Sequence, residues 1–145
     1  MRTSHAAAAL LVLALAGCGG DALTKQQLVA KGDAICARIN TQIAKEPDPK
    51  NAKDLQRLAN RTVELSNPAI EDMEALEPPS ELESDFGKFV ASLKRQRDLT
   101  KKIAAAAGED DTAEVQRIGV DAQKAQDEYR RLTGRIGFKE CGGGV

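Results

Sequence analysis

Aromatic side chains are what this chain has least of: no Trp, one Tyr and three Phe among 145 residues. A core without them must come from Leu, Ile, Val and Ala. Because β-branched and aromatic residues never cluster in alternating runs, such a core suits helices better than sheets. Histidine is nearly absent as well. Its one copy, His5, lies in a segment that reads as a removable leader, so the mature chain has none for a His-based triad, a Cys-His dyad, a Glu-x-x-His di-iron motif or a His-ligated haem. Met73 is the only methionine left beyond that leader, too few for a methionine-rich copper site. There is no excess of positive charge either: a formal net charge of −1 argues against a general nucleic-acid binder. The acidic turn Glu109-Asp110-Asp111 lacks the ligand spacing and terminal glutamate of a Ca²⁺ loop and reads as helix capping. Glu71, Asp72 and Glu74 read as a solvated helix face rather than a metal site. The expectation is a protein with no catalytic machinery, no metal and no cofactor.

What is present begins at the N-terminus. Arg2 precedes an apolar run from Ala6 to Ala16, which closes on Leu15-Ala16-Gly17-Cys18. A basic start, a short apolar run and small residues at a cut site describe a secretory leader, since a membrane span needs roughly 20 apolar residues. The Leu-Ala-Gly-Cys ending resembles the lipobox of bacterial lipoproteins, in which the cysteine thiol receives a diacylglycerol group and the chain is cut just before it. The resemblance implies a leader over 1–17 and a lipidated Cys18 that anchors the mature protein to the outer face of the cell membrane. The alternative is an ordinary leader cut near a cysteine. Residues 18–23, with Gly19 and Gly20, read as lipidated N-terminus and tether.

From Thr24 to Cys141 the pattern predicts one all-α domain, with residues 142–145 as a glycine-rich tail. Thr24 and Gln27 stand at capping-box spacing, and Leu23 with Leu28 at staple spacing. Leu28, Gly32, Ile35, Ile39 and Ile43 share one helical face. Pro47 and Pro49 end that helix. A second helix starts at Asp48 or Asn51, with Leu55, Leu58, Thr62, Leu65, Ala69, Met73 and Leu76 inward; the phase of this face survives Pro68, so one kinked helix is expected, a true break being the alternative. Pro78-Pro79 stops it, and Ser80 with Glu83 suggests a second capping box. The third helix carries Leu82, Phe86, Phe89, Val90, Leu93, Thr100, Ile103 and Ala107, with Gly108 as terminator. In the fourth, capped by Asp111 and Glu114, Val115, Ile118, Ala122, Ala125, Tyr129, Leu132 and Ile136 recur in strict three-four alternation. Short turns between amphipathic helices predict an up-and-down antiparallel four-helix bundle.

With Cys18 assigned to lipid, Cys36 and Cys141 remain as one pair in an oxidising compartment, and no Cys-x-x-Cys spacing marks them as catalytic. A disulfide closing a loop of about 100 residues is worth roughly 4 to 5 kcal/mol by chain entropy. A helix running straight to Ile136 ends well below Cys36, so either the tail turns back along the first helix or the fourth helix stops near Gly134. Two unpaired cysteines or an intermolecular bond are the alternatives.

Charge offers one surface candidate. The acidic end of the second and third helices (Glu71, Asp72, Glu74, Glu77, Glu81, Glu83, Asp85) lies where Arg130, Arg131, Arg135 and Lys139 can compensate it. Lys94, Arg95, Arg97 and Lys101 on the third helix have fewer obvious partners and read as the face for an envelope protein or polymer. A helical interaction module is therefore the first expectation. A solute-binding protein with a pocket between helices, of roughly 300 Å³ or more, is the alternative.

Taken with its Ala-, Arg- and Asp-rich composition, the chain resembles the small secreted helical proteins and lipoproteins of high-GC Gram-positive bacteria. Besides the lipobox, the resemblance rests on Ala34-Ile35-Cys36, Leu76-Glu77-Pro78-Pro79 and Ile136-Gly137-Phe138-Lys139-Glu140-Cys141. It implies no activity, and it carries over no functional residue except Cys18.

Overall fold

The structure is a computed structural model that describes residues 22–142. The leader, Cys18 and the last three residues lie outside that range. Four helices form: α1 (Lys25–Ile43), α2 (Ala52–Glu74), α3 (Glu83–Gly108, after a 3₁₀ turn at Ser80–Leu82) and α4 (Thr112–Ile136), with no strand among the described residues. They pack as an all-α, up-and-down four-helix bundle. Its antiparallel order is visible in the side chains. Near the start of α2, Gln56 lies against Gly108 at the end of α3. Glu74 at the end of α2 pairs with Lys94 in the first half of α3, and Asp85 at the start of α3 pairs with Arg135 at the end of α4.

Local signals account for most helix ends. The Thr24–Gln27 capping box forms in both directions, with Gln27 N–H donating to Thr24 Oγ1 at 3.3 Å and Thr24 N–H to Gln27 Oε1 at 2.9 Å. Of the two starts open for α2, Asn51 is the cap, its side-chain oxygen accepting from Asp54 N–H at 2.9 Å. Pro68 sits inside α2, which runs unbroken through it. Asp111 caps α4 by accepting from Glu114 N–H at 2.9 Å.

Two predicted signals fail. Ser80 and Glu83 make no capping box, because Ser80 is itself drawn into the 3₁₀ turn: Leu82 N–H donates to the Pro79 carbonyl, and α3 starts with no side-chain cap. Gly108 is the last residue of α3, but it is not the left-handed residue of the turn. Asp110 takes that conformation, with φ 56°, tolerable because a short polar side chain suits it better than a branched one.

The core divides in two. One cluster gathers Leu28, Met73, Leu82, Phe86, Phe89, Val90, Tyr129, Leu132, Ile136, Phe138 and the two cysteines. Phe89 is its centre, fully buried, with its ring 5.4 Å from that of Tyr129, 4.9 Å from Phe138 and 6.2 Å from Phe86. The other cluster, toward the opposite end, is Leu99, Ala106, Ile118 and Ala125 with Ile103, Val115 and Ala122 at its edge. Small side chains let α3 approach α4 closely there. α1 takes no part: its 19 residues span about 28 Å against about 39 Å for the 26 residues of α3.

The tail fastens α1 to the bundle. Cys36 and Cys141 are bonded, across a sequence separation of 105. Of the two routes open to the chain, it takes the first: α4 runs to Ile136, Gly137 turns in the left-handed region at φ 100°, and the tail climbs back along α1. Gly137 N–H and Phe138 N–H both donate to the Thr133 carbonyl. Phe138 then packs on bare backbone at Gly32, where a Cβ would lie 2.4 Å from its ring. Asp33 Oδ1 accepts from Lys139 N–H and Glu140 N–H, each at 2.9 Å, and Asn40 Nδ2 donates to the Glu140 carbonyl at 3.0 Å.

Candidate functional site

α3 packs closely along both α2 and α4, whereas α1 approaches its neighbours over a shorter stretch. The consequence lies between the two core clusters, where a cavity of about 550 Å³ is lined by all four helices and by the tail at Cys141 and Gly142. It falls within the range of small-molecule sites, about 300 to 1,000 Å³. Ile39 and Ile43, read from the sequence as core positions, are only half-buried and line this space, as does Ile35.

Each helix contributes a different chemistry. α1 supplies an apolar wall, Ile35, Ile39 and Ile43, with Asn40 as its one polar residue. α2 adds Ala69, Ile70 and Met73 below and the hydroxyls of Thr62 and Ser66 above. Those two hydroxyls donate to the backbone carbonyls of Leu58 (2.9 Å) and Thr62 (2.7 Å), and the Thr100 hydroxyl of α3 donates to that of Gln96 at 2.9 Å. Having given their protons to their own helices, they present acceptor lone pairs to any further partner. From α3 and α4 come Gln96, Arg97, Gln123, Gln126, Tyr129 and Arg130. Among the described residues, no Asp, Glu or Lys lines the cavity.

Gln96 stands out among them. Its Nε2 is buried with no hydrogen-bond partner, the one such side-chain atom among the described residues. A buried donor left unsatisfied costs about 1 to 3 kcal/mol, a cost that an acceptor in the cavity would offset once the amide turns toward the space that Gln96 lines. Tyr129 reports on the same space. Burial, with a smaller contribution from the negative charge of Asp33, holds its phenol well above the ordinary tyrosine range.

The residues picked out from the sequence fare differently. Cys36 and Cys141 come together, and their bond forms part of the cavity wall. Cys18 lies outside the described residues. The cationic face on α3 does not stand free: Lys94 pairs with Glu74 at 2.5 Å, Arg95 with Glu128 at 3.5 Å and Arg97 with Asp98 at 2.7 Å. Lys101 alone of the four is exposed without an ion pair among the described residues. Compensation of the acidic end is real but arranged otherwise than expected: Arg135 reaches Asp85, whereas Asp72 pairs with Arg38 and Glu74 with Lys94. Among the described residues, no three of His, Cys, Asp and Glu converge on a metal-sized site, and no helix is long and apolar enough to cross a membrane.

Sequence reasoning missed Gln96, Ser66 and Gln126 as inward residues. The signal was there in part. Gln96 falls three after Leu93 and four before Thr100, and Ser66 falls four after Thr62, so polar residues stand on faces otherwise marked as apolar. No family model matches the chain, and neither a curated protein nor a solved structure matches it.

Proposed function

We propose that this protein is a membrane-anchored extracytoplasmic lipoprotein whose helical domain binds a small solute in the cavity between its four helices. The observation that carries the reading is the cavity itself, about 550 Å³ with an unpartnered buried amide nitrogen at Gln96. An apolar space with a few convergent polar groups is what a ligand site requires. The lipobox supplies the anchor in this proposal. Diacylglycerol on Cys18 puts two acyl chains into the bilayer, enough for stable attachment where one chain is not, and the tether leaves the domain at the membrane surface. The sequence put a basic interaction face first; the pairs of Lys94, Arg95 and Arg97 are exposed and do not by themselves close that face, and it is the cavity that puts solute binding ahead of it.

Both halves of the proposal can be tested on the full chain. Labelling with a fatty-acid analogue should mark the wild type and leave Cys18→Ser unmarked; an unmarked wild type contradicts the anchor. For the cavity, the mature protein in phospholipid vesicles is titrated with small-molecule fractions from the envelope of the cell that makes it, following emission from Tyr129, the only tyrosine in a chain without tryptophan. Saturable change in the wild type that is lost in Ser66→Leu, which fills the space, supports solute binding. No saturable change with any fraction, or the same change in Ser66→Leu, contradicts it.

A further inference from the structure

We infer that the solute is an amphiphile with one anionic oxygen head group, held at Gln96 and Arg97, and an apolar body laid against α1. The inference rests on the solute-binding reading above and adds the ligand class. Charge is the first argument. Among the described residues, the only charged ones that line the cavity are two arginines, Arg97 and Arg130, and no carboxylate side chain lines it. Their salt-bridge partners, Asp98 and Asp127, are exposed and stand outside the lining. Arg97 spends Nε–H and one Nη2–H on Asp98, at 3.0 and 2.7 Å, and Arg130 spends one Nη2–H on Asp127 at 2.7 Å. A guanidinium has five N–H donors, so both keep donors to spare, and pairs this exposed give them up readily.

Polarity is the second argument. The buried Gln96 nitrogen is a donor without an acceptor, one residue before Arg97 on the same helix, and it meets a ligand once its amide turns into the cavity that Gln96 lines. Donors therefore gather on α3 and α4, where an anionic oxygen accepts charge-assisted hydrogen bonds in a partly desolvated space. Opposite them, Ile35, Ile39 and Ile43 form an apolar strip. The eight helical rises from Ile35 to Ile43 make that strip about 12 Å long, which suits a medium-length alkyl chain rather than a compact polar metabolite. Polar donors on one wall and a branched apolar strip on the other set a single orientation for the ligand.

A carboxylate and a phosphate monoester share the head-group chemistry, so the test separates them. The mature lipid-anchored chain in phosphatidylcholine vesicles is titrated with decanoate, decyl phosphate and decanol, again followed by Tyr129 emission. Each variant is compared in the same vesicles, so that partition of the probe into lipid cancels. Decanoate or decyl phosphate should bind at least about tenfold more tightly than decanol, and the better of the two identifies the head. Arg97→Gln should weaken that anion about tenfold and leave decanol within about twofold, a difference that only loss of a head-group contact produces. Arg130→Gln gives a second reading should Arg97→Gln lose helicity, and Lys101→Gln, outside the cavity, should change nothing. The inference is overturned if decanol binds as well as the anions, if Arg97→Gln weakens all probes equally or none, or if Lys101→Gln matches Arg97→Gln. Saturable binding of an envelope fraction with none of these probes bound would also overturn it, while leaving solute binding itself standing. Equal decanoate binding in Ser66→Leu would remove both.

Discussion

The two ends of this bundle solve the problem of holding helices together in different ways. At one end four helices meet around Phe89, with Phe86 and Tyr129 stacked and Phe138 tilted against it, and a tail is hydrogen-bonded and disulfide-bonded to α1. At the other, Ala106, Ala122 and Ala125 stand among Leu99, Ile103, Val115 and Ile118 and let α3 and α4 approach closely, and α1 does not reach that level. Bulk fills space and covalent closure holds a short helix in place; small residues remove the need for either. Between them neither solution is complete: Ile35 still packs against the first cluster, but Ile39 and Ile43 are half-buried and border the cavity.

Removing the covalent fastening should have the largest effect. Replacing both Cys36 and Cys141 with Ser should lower stability to denaturant by roughly 2 to 5 kcal/mol, with amide protection lost first along α1 and the tail. Equal loss of protection at the two ends would break the comparison. Next come two glycines that look alike in sequence. Gly32→Ala places a Cβ 2.4 Å from Phe138 and should cost about 1 to 3 kcal/mol of unfolding free energy. Gly119→Ala on α4, where nothing lies within 4 Å, should instead stabilise by up to about 1 kcal/mol. Stabilisation by both changes would mean that the tail does not bear on Gly32.

The smallest effect is seen only in alkali. Burial raises the Tyr129 pKa, so the folded protein keeps the phenolic proton at pH values where the unfolded chain releases it. Stability should therefore be insensitive to this group below about pH 10 and fall as pH rises above it. Absorbance of the single tyrosinate, read against helicity, checks this: ionisation near pH 10 with the helices intact would place Tyr129 in water.

The helices were legible because their signals are local. Thr24 with Gln27, and the seven-residue seam of α4, need no knowledge of tertiary structure, and five of those seam residues are buried while Val115 and Ala122 are half-buried. Ser80 misled because a capping box and a 3₁₀ turn compete for the same donor, the Glu83 N–H, which goes to the Ser80 carbonyl rather than its hydroxyl, and packing of Leu82 into the core favours the turn. The route of the tail was legible as a choice and no further. What decides it is Asp33, whose carboxylate takes two backbone donors from residues more than a hundred positions away, a role no spacing rule announces. The cavity was hidden for a related reason. Ile35, Ile39 and Ile43 have the periodicity of a packed face, and whether such a face meets bulk or space depends on helix separation, which hydrophobic pattern does not encode.

The central claim, that the middle of the bundle is kept open for a ligand, is tested most directly by the thermal unfolding midpoint of Ser66→Leu with and without decanoate. Ser66 is half-buried on the cavity wall, and its hydroxyl bonds only its own helix at 2.7 Å. Filling an unfilled space should leave the variant at least as stable as the wild type, while decanoate, which raises the wild-type midpoint by mass action, should no longer raise that of the variant. A lower midpoint without decanoate, or the same rise with it, would show that the space is not there to be filled.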